Sequence, residues 1–324
     1  MIGYGGGMVS VGYFLSCEAF GPEELLRQAR MAEQAGFERL WISDHFHPWL
    51  DEQGNSPFVW SVIGALSQVT SLPITTAVTC PTVRTHPAVI AQAAATAAVQ
   101  CQGRFVLGVG SGEALNEHIT GDRWPPVAVR LSMLDEACEI IRKLHTGEEV
   151  TYRGQYYTVE NARLYTLPEQ PVPIYVSAFG PQAARVAGRI GDGFCSTMPD
   201  PGLVNTFRDG AGNKPAQAGL KLCWADTEEE GRTRAHRLWR NELLPGGLGQ
   251  TLSTPREFEQ VSTLVTEQMV GEQFPCGSDP QRLLDIVQQF ADAGYDEVYL
   301  QQIGPEQEKF FDAFSRELRP RIPA

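Results

Sequence analysis

Short apolar runs alternate along the chain with longer segments whose apolar residues recur every three or four positions. A short continuous or period-two run marks a strand, and a 3.6-residue period marks a helix with one buried face. The runs predict strands at residues 9–14, 39–43, 74–78, 105–109, 174–176, 194–196, 220–224 and 297–300. Helices are predicted at 22–35, 61–69, 88–100, 130–144, 182–190 and 306–318, with others after the sixth and seventh strands. Pro22 suits a first helical turn, where its missing N–H costs little. Leu131, Leu134, Ile140 and Ile141 fall on one helical face. Eight strand–helix units in series close most economically into a (β/α)8 TIM barrel, an α/β fold. The competing doubly wound open sheet is disfavoured, because no GxGxxG follows the first strand.

Two segments break the rhythm. Residues 148–165 alternate at period two around Arg153 and Gly154, which predicts a hairpin beside the barrel. Residues 243–276 form a long insertion before the eighth strand, with a turn at Pro245, Gly246 and Gly247 and a helix from Pro255. Insertions on a barrel commonly shape the substrate mouth. No repeat or linker divides the chain, so residues 1–324 read as one domain. The glycines of the first eight residues read as a flexible lead-in, without a basic segment or signal-peptide pattern.

Composition narrows the function. A chain of 324 residues that is 42% hydrophobic has ample material for a core and no reason to be disordered. Its 26 Lys and Arg face 39 Asp and Glu, a net charge of −13, which argues against nucleic acid or an anionic membrane as partner. An acidic small ligand held by backbone amides remains compatible with that charge. No apolar stretch approaches the twenty residues of a membrane span. Seven scattered cysteines, odd in number and without a CxxC pair, fit a reduced cytoplasm better than a disulfide framework or a zinc site.

Barrel chemistry gathers where strands end, at the carboxyl face. The second predicted strand runs into Ser43, Asp44, His45, Phe46, His47, Pro48 and Trp49; the third into Ala77, Val78, Thr79 and Cys80. The fourth runs into Gly110, Ser111, Gly112, Glu113 and Asn116, the fifth into Ser177, Ala178, Phe179 and Gly180, and the sixth into Thr197. His45 is a candidate general base, since imidazole titrates near neutral pH; the alternative is a structural loop histidine. His45 with His47 also forms an H-x-H pair, but no His lies between His145 and His236 to complete a metal site, so no metal is expected. Glu113 reads either as a proton-exchanging carboxyl or as a helix-start carboxylate that complements the dipole. Glu18, after the first strand, reads as a substrate contact or as a solvated loop carboxylate. The Gly180–Pro181 step begins a helix whose free amides could hold a phosphate, or it is a plain turn. Trp41, Trp49 and Trp124 taken singly read as core.

The stretches from Ser43 to Trp49 and from Gly110 to Glu117 resemble the luciferase-like deazaflavin oxidoreductases, in the branch around the glucose-6-phosphate dehydrogenase that uses coenzyme F420. Residues 87–93, 121–125 and 187–193 extend the resemblance, which covers nearly the whole chain. It implies a (β/α)8 barrel, a homodimer, and F420 in the carboxyl-face mouth. By the same resemblance Asp44 contacts the cofactor, His45 faces its hydride-bearing carbon and the substrate hydroxyl, and Trp49 stabilises the reacting centre. Glu113 would lie near the ring nitrogen that gains or loses a proton. Ala77 and Val78, joined by a cis peptide in the family, would back the ring, with Thr79 and Cys80 following. Ser111, Gly112, Asn116 and the turn of Ser177, Ala178, Phe179 and Gly180 would hold the ring, ribityl chain and phosphate. Glu18, Thr197, Gln250 and Gln273 would face a small-molecule substrate. Sugar-phosphate members carry a cationic cage whose three positions align here with Asp200, Gly249 and Gln273, so glucose 6-phosphate is a poor fit. FMN in place of F420, and a flavin-binding protein without catalysis, are the competing readings.

Overall fold

A computed structural model of the chain describes residues 9–322; the glycine-rich lead-in lies outside the described residues. The strands are β1 (Ser10–Leu15), β2 (Leu40–Ile42), β3 (Ile74–Thr76), β4 (Phe105–Val109), β5 (Val150–Arg153), β6 (Thr158–Ala162), β7 (Ile174–Ser177), β8 (Gly193–Ser196), β9 (Ala216–Leu222) and β10 (Glu297–Gln302). Eight of them close a parallel barrel in the order β1-β2-β3-β4-β7-β8-β9-β10, as the eight strand–helix units predict. β5 and β6 form a separate antiparallel pair. That pair is tied to the barrel where Glu136 accepts the Tyr157 N–H at 2.8 Å and the Tyr157 hydroxyl donates to Thr82 O at 2.9 Å. No helix among the described residues is long and apolar enough to cross a membrane.

In a closed barrel, alternate side chains point to the helices and to the lumen. On β9, Ala216, Ala218, Leu220 and Leu222 join the main hydrophobic core. Gln217, Gly219 and Lys221 share the opposite, lumenal face. The floor of the lumen is Phe14, Trp41, Tyr175, Cys195 and Tyr299. Trp41 stacks on Tyr299 with ring centroids 4.6 Å apart and planes 12° apart, while Phe14 meets Trp41 edge-on at 5.6 Å. Gly219 makes this possible, because a Cβ there would lie 2.8 Å from the Trp41 ring. The polar tips are satisfied: Trp41 Nε1 donates to Gln217 Oε1 at 2.9 Å, Gln217 Nε2 to Glu297 Oε2 at 2.7 Å, and the Tyr299 hydroxyl to the same oxygen at 2.6 Å.

Several boundaries differ from the sequence pattern. The seventh barrel strand begins at Ala216 rather than residue 220, since its first residues alternate small alanines outward with Gln217 and Gly219 inward and form no apolar run. β3 stops at Thr76, ahead of a cis Ala77–Val78 peptide. The helix expected at 61–69 spans Val59–Leu66, and that expected from 130 begins at Val127. The last expected helix is Gln307–Ala313 followed by a π-helical turn at Phe314–Leu318. The helix Pro22–Ala35 has the expected limits, with Pro22 in its first turn and Gly36 closing it at φ 92°. Residues 243–276 carry three short helices, Leu248–Thr251, Pro255–Ser262 and Glu267–Gln273.

Trp41→Ala should destabilise the barrel by about 3–5 kcal/mol, because it empties the lumen floor and strands the Gln217 carboxamide. Urea denaturation followed by far-ultraviolet circular dichroism measures this, and a loss below about 1 kcal/mol would contradict the floor's structural role.

Candidate active site

β1 and β2 run side by side, Leu15 opposite Ile42. Continuing the lumenal parity past Phe14 and Trp41 delivers Ser16 and Ser43 to the mouth. Both hydroxyls donate to Glu18 Oε2, at 2.8 Å and 2.7 Å. The other carboxylate oxygen, Oε1, lies 3.4 Å from His45 Nδ1. Glu18 is therefore not a solvated loop carboxylate. It is 3% exposed and committed to two serines and a histidine. Burial pushes its pKa up, but the His45 charge and the hydrogen bonds from Ser43, its own backbone and Ser16 outweigh burial and hold it below the usual carboxylate value. His45 is buried against Trp49, whose ring meets it edge-on at 5.0 Å.

Trp49 is fixed from behind. Gln53 Oε1 accepts its backbone N–H at 2.8 Å, while Gln53 Nε2 donates to Leu238 O at 2.8 Å, clamping this loop to the end of the helix Glu228–Trp239. Phe258, from the late insertion, packs edge-on against Trp49 at 5.1 Å. The insertion thus reaches the mouth through the wall behind the catalytic loop.

A second cluster gathers around Arg84. Asp44 accepts from Thr79 Oγ1 at 2.8 Å and from Arg84 Nη2 at 2.8 Å. Glu117 accepts the Arg84 backbone N–H at 2.7 Å and lies 3.6 Å from the guanidinium. Thr79 is fully buried, and its hydroxyl is spent on Asp44, so it acts as a strut. Cys80 is buried behind Gly112, where a Cβ would come 2.5 Å from its sulfur; its thiol pairs with Thr82 Oγ1 at 2.9 Å. Ala77 and Val78 lie half-buried on the lumen floor cluster. Asn116 Oδ1 accepts from Phe46 N at 2.8 Å and His47 N at 3.1 Å, joining the β2 and β4 loops. Its Nδ2 has no partner although the residue is 1% exposed. Glu113 is half-buried at the start of the short helix Ala114–Glu117. His47 Nδ1 faces Leu115 O at 3.0 Å.

The remaining residues spread around the rim. Ser177 and Gly180 are half-buried, Ala178 is buried and Phe179 exposed. Gly180 precedes the helix Pro181–Ile190, with nothing within 4 Å of its open side. Thr197 is half-buried beyond β8. Asp200 caps the helix Pro201–Ala211 by accepting the Gly202 N–H at 2.7 Å. Gln250 is held by Arg130, whose Nη2 donates to Gln250 Oε1 at 3.0 Å and whose Nη1 donates to Gly112 O at 2.9 Å. Arg130 lies over the Trp124 ring at 4.4 Å, in a groove of about 470 Å³ between residues 124–130 and 247–251. Gln273 is exposed on a helix that packs against Glu228–Trp239. The structure thus brings Glu18, His45 and Trp49 into direct succession and places Gln250 beside Gly112, while Gln273 stands apart from that group. Sequence reasoning missed Ser16, Ser43, Arg84, Glu117 and Arg130. Strand parity marks the two serines; the arginines give no local signal.

The sequence profile of the luciferase-like monooxygenases matches residues 8–297. The chain belongs to that family. It is 36% identical over 332 residues to the F420-dependent glucose-6-phosphate dehydrogenase of Amycolatopsis mediterranei (strain U-32), covering 98% of this chain and 99% of that one. It is 37% identical over 328 residues to the enzyme of that name from Microbacterium testaceum (strain StLB037), covering 96% of each. Among solved structures, an F420-dependent secondary alcohol dehydrogenase in complex with an F420–acetone adduct matches with a TM-score of 0.91 at 32% identity, covering 98% of this chain and 100% of that one. The coenzyme F420-dependent tetrahydromethanopterin reductase of Methanopyrus kandleri, at 22% identity and TM-score 0.79, shares the fold.

In this luciferase-like chain the buried acids of the mouth diverge. Glu117 is pushed up to about 7: burial dominates, the Arg84 N–H and guanidinium offset part of it, and Glu113 and Asp44 add to the rise. A carboxyl whose folded pKa lies above its unfolded value adds most stability at low pH, and that contribution fades as pH rises through the folded value. Between pH 4.5 and about 7 the wild type should lose up to about 3 kcal/mol relative to Glu117→Gln, which has no proton to lose. Urea titrations of both proteins from pH 5 to 8 test this. Parallel stability curves would refute the assignment.

Proposed function

We propose that the protein is a coenzyme F420-dependent oxidoreductase that moves hydride between the deazaflavin and the alcohol or carbonyl carbon of a small substrate, working as a single-domain cytoplasmic subunit of a homodimer. The observation that carries the reading is the Glu18–His45 pair beside Trp49 at the carboxyl face, in a chain whose relatives are named for F420 and for alcohol substrates. The residues suit such a ring and tail. Asn116 Nδ2 is buried and unpaired, and the open side of Gly180 leads to a helix start that can hold a phosphate with backbone amides. When bound, the deazaflavin supplies a carbon that accepts or releases hydride.

The protein's own part is to place and move protons. With Nδ1 turned to the ionised Glu18, His45 keeps Nε2 for the substrate hydroxyl and takes its proton as hydride departs. Glu18 stabilises the imidazolium that results and fixes the tautomer. Trp49, backed by Phe258, holds the imidazole in place and excludes water. Glu113, half-buried at the start of its short helix, would exchange a proton with the deazaflavin ring. Asp44, pinned by Thr79 and Arg84, orients the loop that carries His45. FMN stays the competing cofactor.

Glucose 6-phosphate is disfavoured as substrate. Asp200 is a helix cap, Gly249 has no side chain and Gln273 is exposed, so none of the three positions aligned with the cationic cage offers a positive charge. A phosphate dianion gains charge-assisted hydrogen bonds only where cations converge on it.

Two measurements test this reading. Fluorescence titration should show tight F420 binding and weak FMN binding; tight FMN binding without an F420 response would reverse the cofactor assignment. In single-turnover reduction of F420 by an alcohol, His45→Ala should slow the step by about 10²–10⁴-fold. Glu18→Gln should slow it less, because the imidazolium loses its counter-charge. An unchanged rate in His45→Ala would remove the base.

A further inference from the structure

Lumenal parity carries two more polar residues to the mouth, on the wall opposite β3 and β4. On β9, Gln217 and Gly219 face the lumen floor through their contacts with Trp41, so Lys221 faces the lumen one step nearer the carboxyl end. On β10, Glu297 and Tyr299 do the same, which places Gln301 beyond them. Lys221 and Gln301 are register partners on neighbouring strands. Lys221 Nζ lies 3.0 Å from Glu242 Oε2 and 4.6 Å from the centroid of the Trp239 ring, and its side chain is 10% exposed. Gln301 is 2% exposed, its Oε1 has no partner, and its amide makes no side-chain hydrogen bond. A buried carboxamide left unpaired costs stability unless something completes it.

This wall belongs to the same mouth as His45. Trp239 is part of a small cluster with Cys223, Val270 and Ile303, and Trp49 packs against that cluster. Gln53 ties the Trp49 loop to Leu238, next to Trp239.

We infer that Lys221 and Gln301 form a second substrate subsite, which binds a further hydroxyl of an uncharged polyhydroxy alcohol whose reacting hydroxyl faces His45; the inference rests on the alcohol chemistry proposed above. A hydroxyl both donates and accepts, and an unpaired carboxamide beside an ammonium with spare N–H groups offers both functions. The charge of Lys221 is already met by Glu242. The other cations of the mouth are committed as well, Arg84 to Asp44 and Glu117, and Arg130 to Gly112 O and Gln250. A neutral hydroxyl therefore gains here what a phosphate dianion does not. A monohydric alcohol leaves the Gln301 amide unpaired, and sites built to hydrogen-bond a hydroxyl discriminate strongly against analogues that lack it.

The test uses the whole protein with glucose, glucose 6-phosphate and 2-propanol as probes. Saturation-transfer NMR without cofactor should show glucose bound by the wild type and its signal lost in Gln301→Leu and in Lys221→Met. The isosteric Gln301→Glu, with melting curves for every variant, guards against loss of fold and should weaken the signal too. With F420 present, kcat/KM for glucose relative to 2-propanol should fall about tenfold or more in both variants. Glucose binding that is absent in the wild type, or unaffected by these substitutions, overturns the subsite. A rate with glucose 6-phosphate above that with glucose overturns it as well. Glucose binding that depends on Gln301 in a protein with no F420 response would sink the cofactor reading and leave the subsite standing.

Discussion

A closed parallel barrel gives every second strand side chain one destination, the lumen, and that constraint organises this molecule. Midway along the strands the lumen is filled. Trp41 and Tyr299 stack across it, Phe14 and Tyr175 complete the layer, and Gly219 yields the space. The same parity, followed two residues further, delivers Ser16, Ser43, Lys221 and Gln301 above a dry floor. Polar groups there sit in low dielectric, where a partner is worth more and its absence costs more than at the surface. The floor closes the lumen beneath the mouth and fixes the strand ends from which the loop carrying His45 departs.

The mouth then has to accommodate more acid than base. Glu18 and Glu117 are both buried carboxyls, yet their environments push them in opposite directions. Glu18 receives two serine hydroxyls and faces an imidazole, and it stays ionised. Glu117 has only the Arg84 N–H close by, with the guanidinium at 3.6 Å and two other acids adding repulsion, and it is pushed up to about 7. Such divergence between neighbouring groups of one type separates an ionised charge-holder from a proton reservoir. Arg84 is the hinge of this arrangement, since it is paired at once with Asp44 on the loop after β2 and with Glu117 on the short helix after β4.

Much of this was legible in the sequence, for reasons that also mark the limits. Period and run length located all eight barrel strands, because a strand buried on both faces leaves an apolar run. β9 was misplaced by four residues because its lumenal positions are Gln217, Gly219 and Lys221 and its outward ones begin with alanine. His45, Trp49 and Glu113 stood out because strand ends are where barrels keep their chemistry. Glu18 stood out, but its burial was not legible, since its partners Ser16 and Ser43 come from two strands whose adjacency appears only when the barrel closes. Arg84 and Arg130 were invisible for the same reason: each gains its meaning from residues tens of positions away, Asp44 and Glu117 for one, Gly112 and Gln250 for the other.

Family membership and substrate choice also rest on different parts of the molecule. The floor, Glu18, His45 and Asp44 belong to strands or to loops anchored by strand-end hydrogen bonds, and a change there disturbs the barrel itself. Asp200, Gly249 and Gln273, the positions the family resemblance matches to a phosphate cage, lie on a helix cap and on the late insertion, away from the barrel strands. The insertion meets the loop that carries His45 through Phe258, which packs edge-on behind Trp49. The net charge of −13 acquires a local meaning in this light: Arg84 is committed to Asp44 and Glu117 and Lys221 to Glu242, so the cations of the mouth are spent on its own acids.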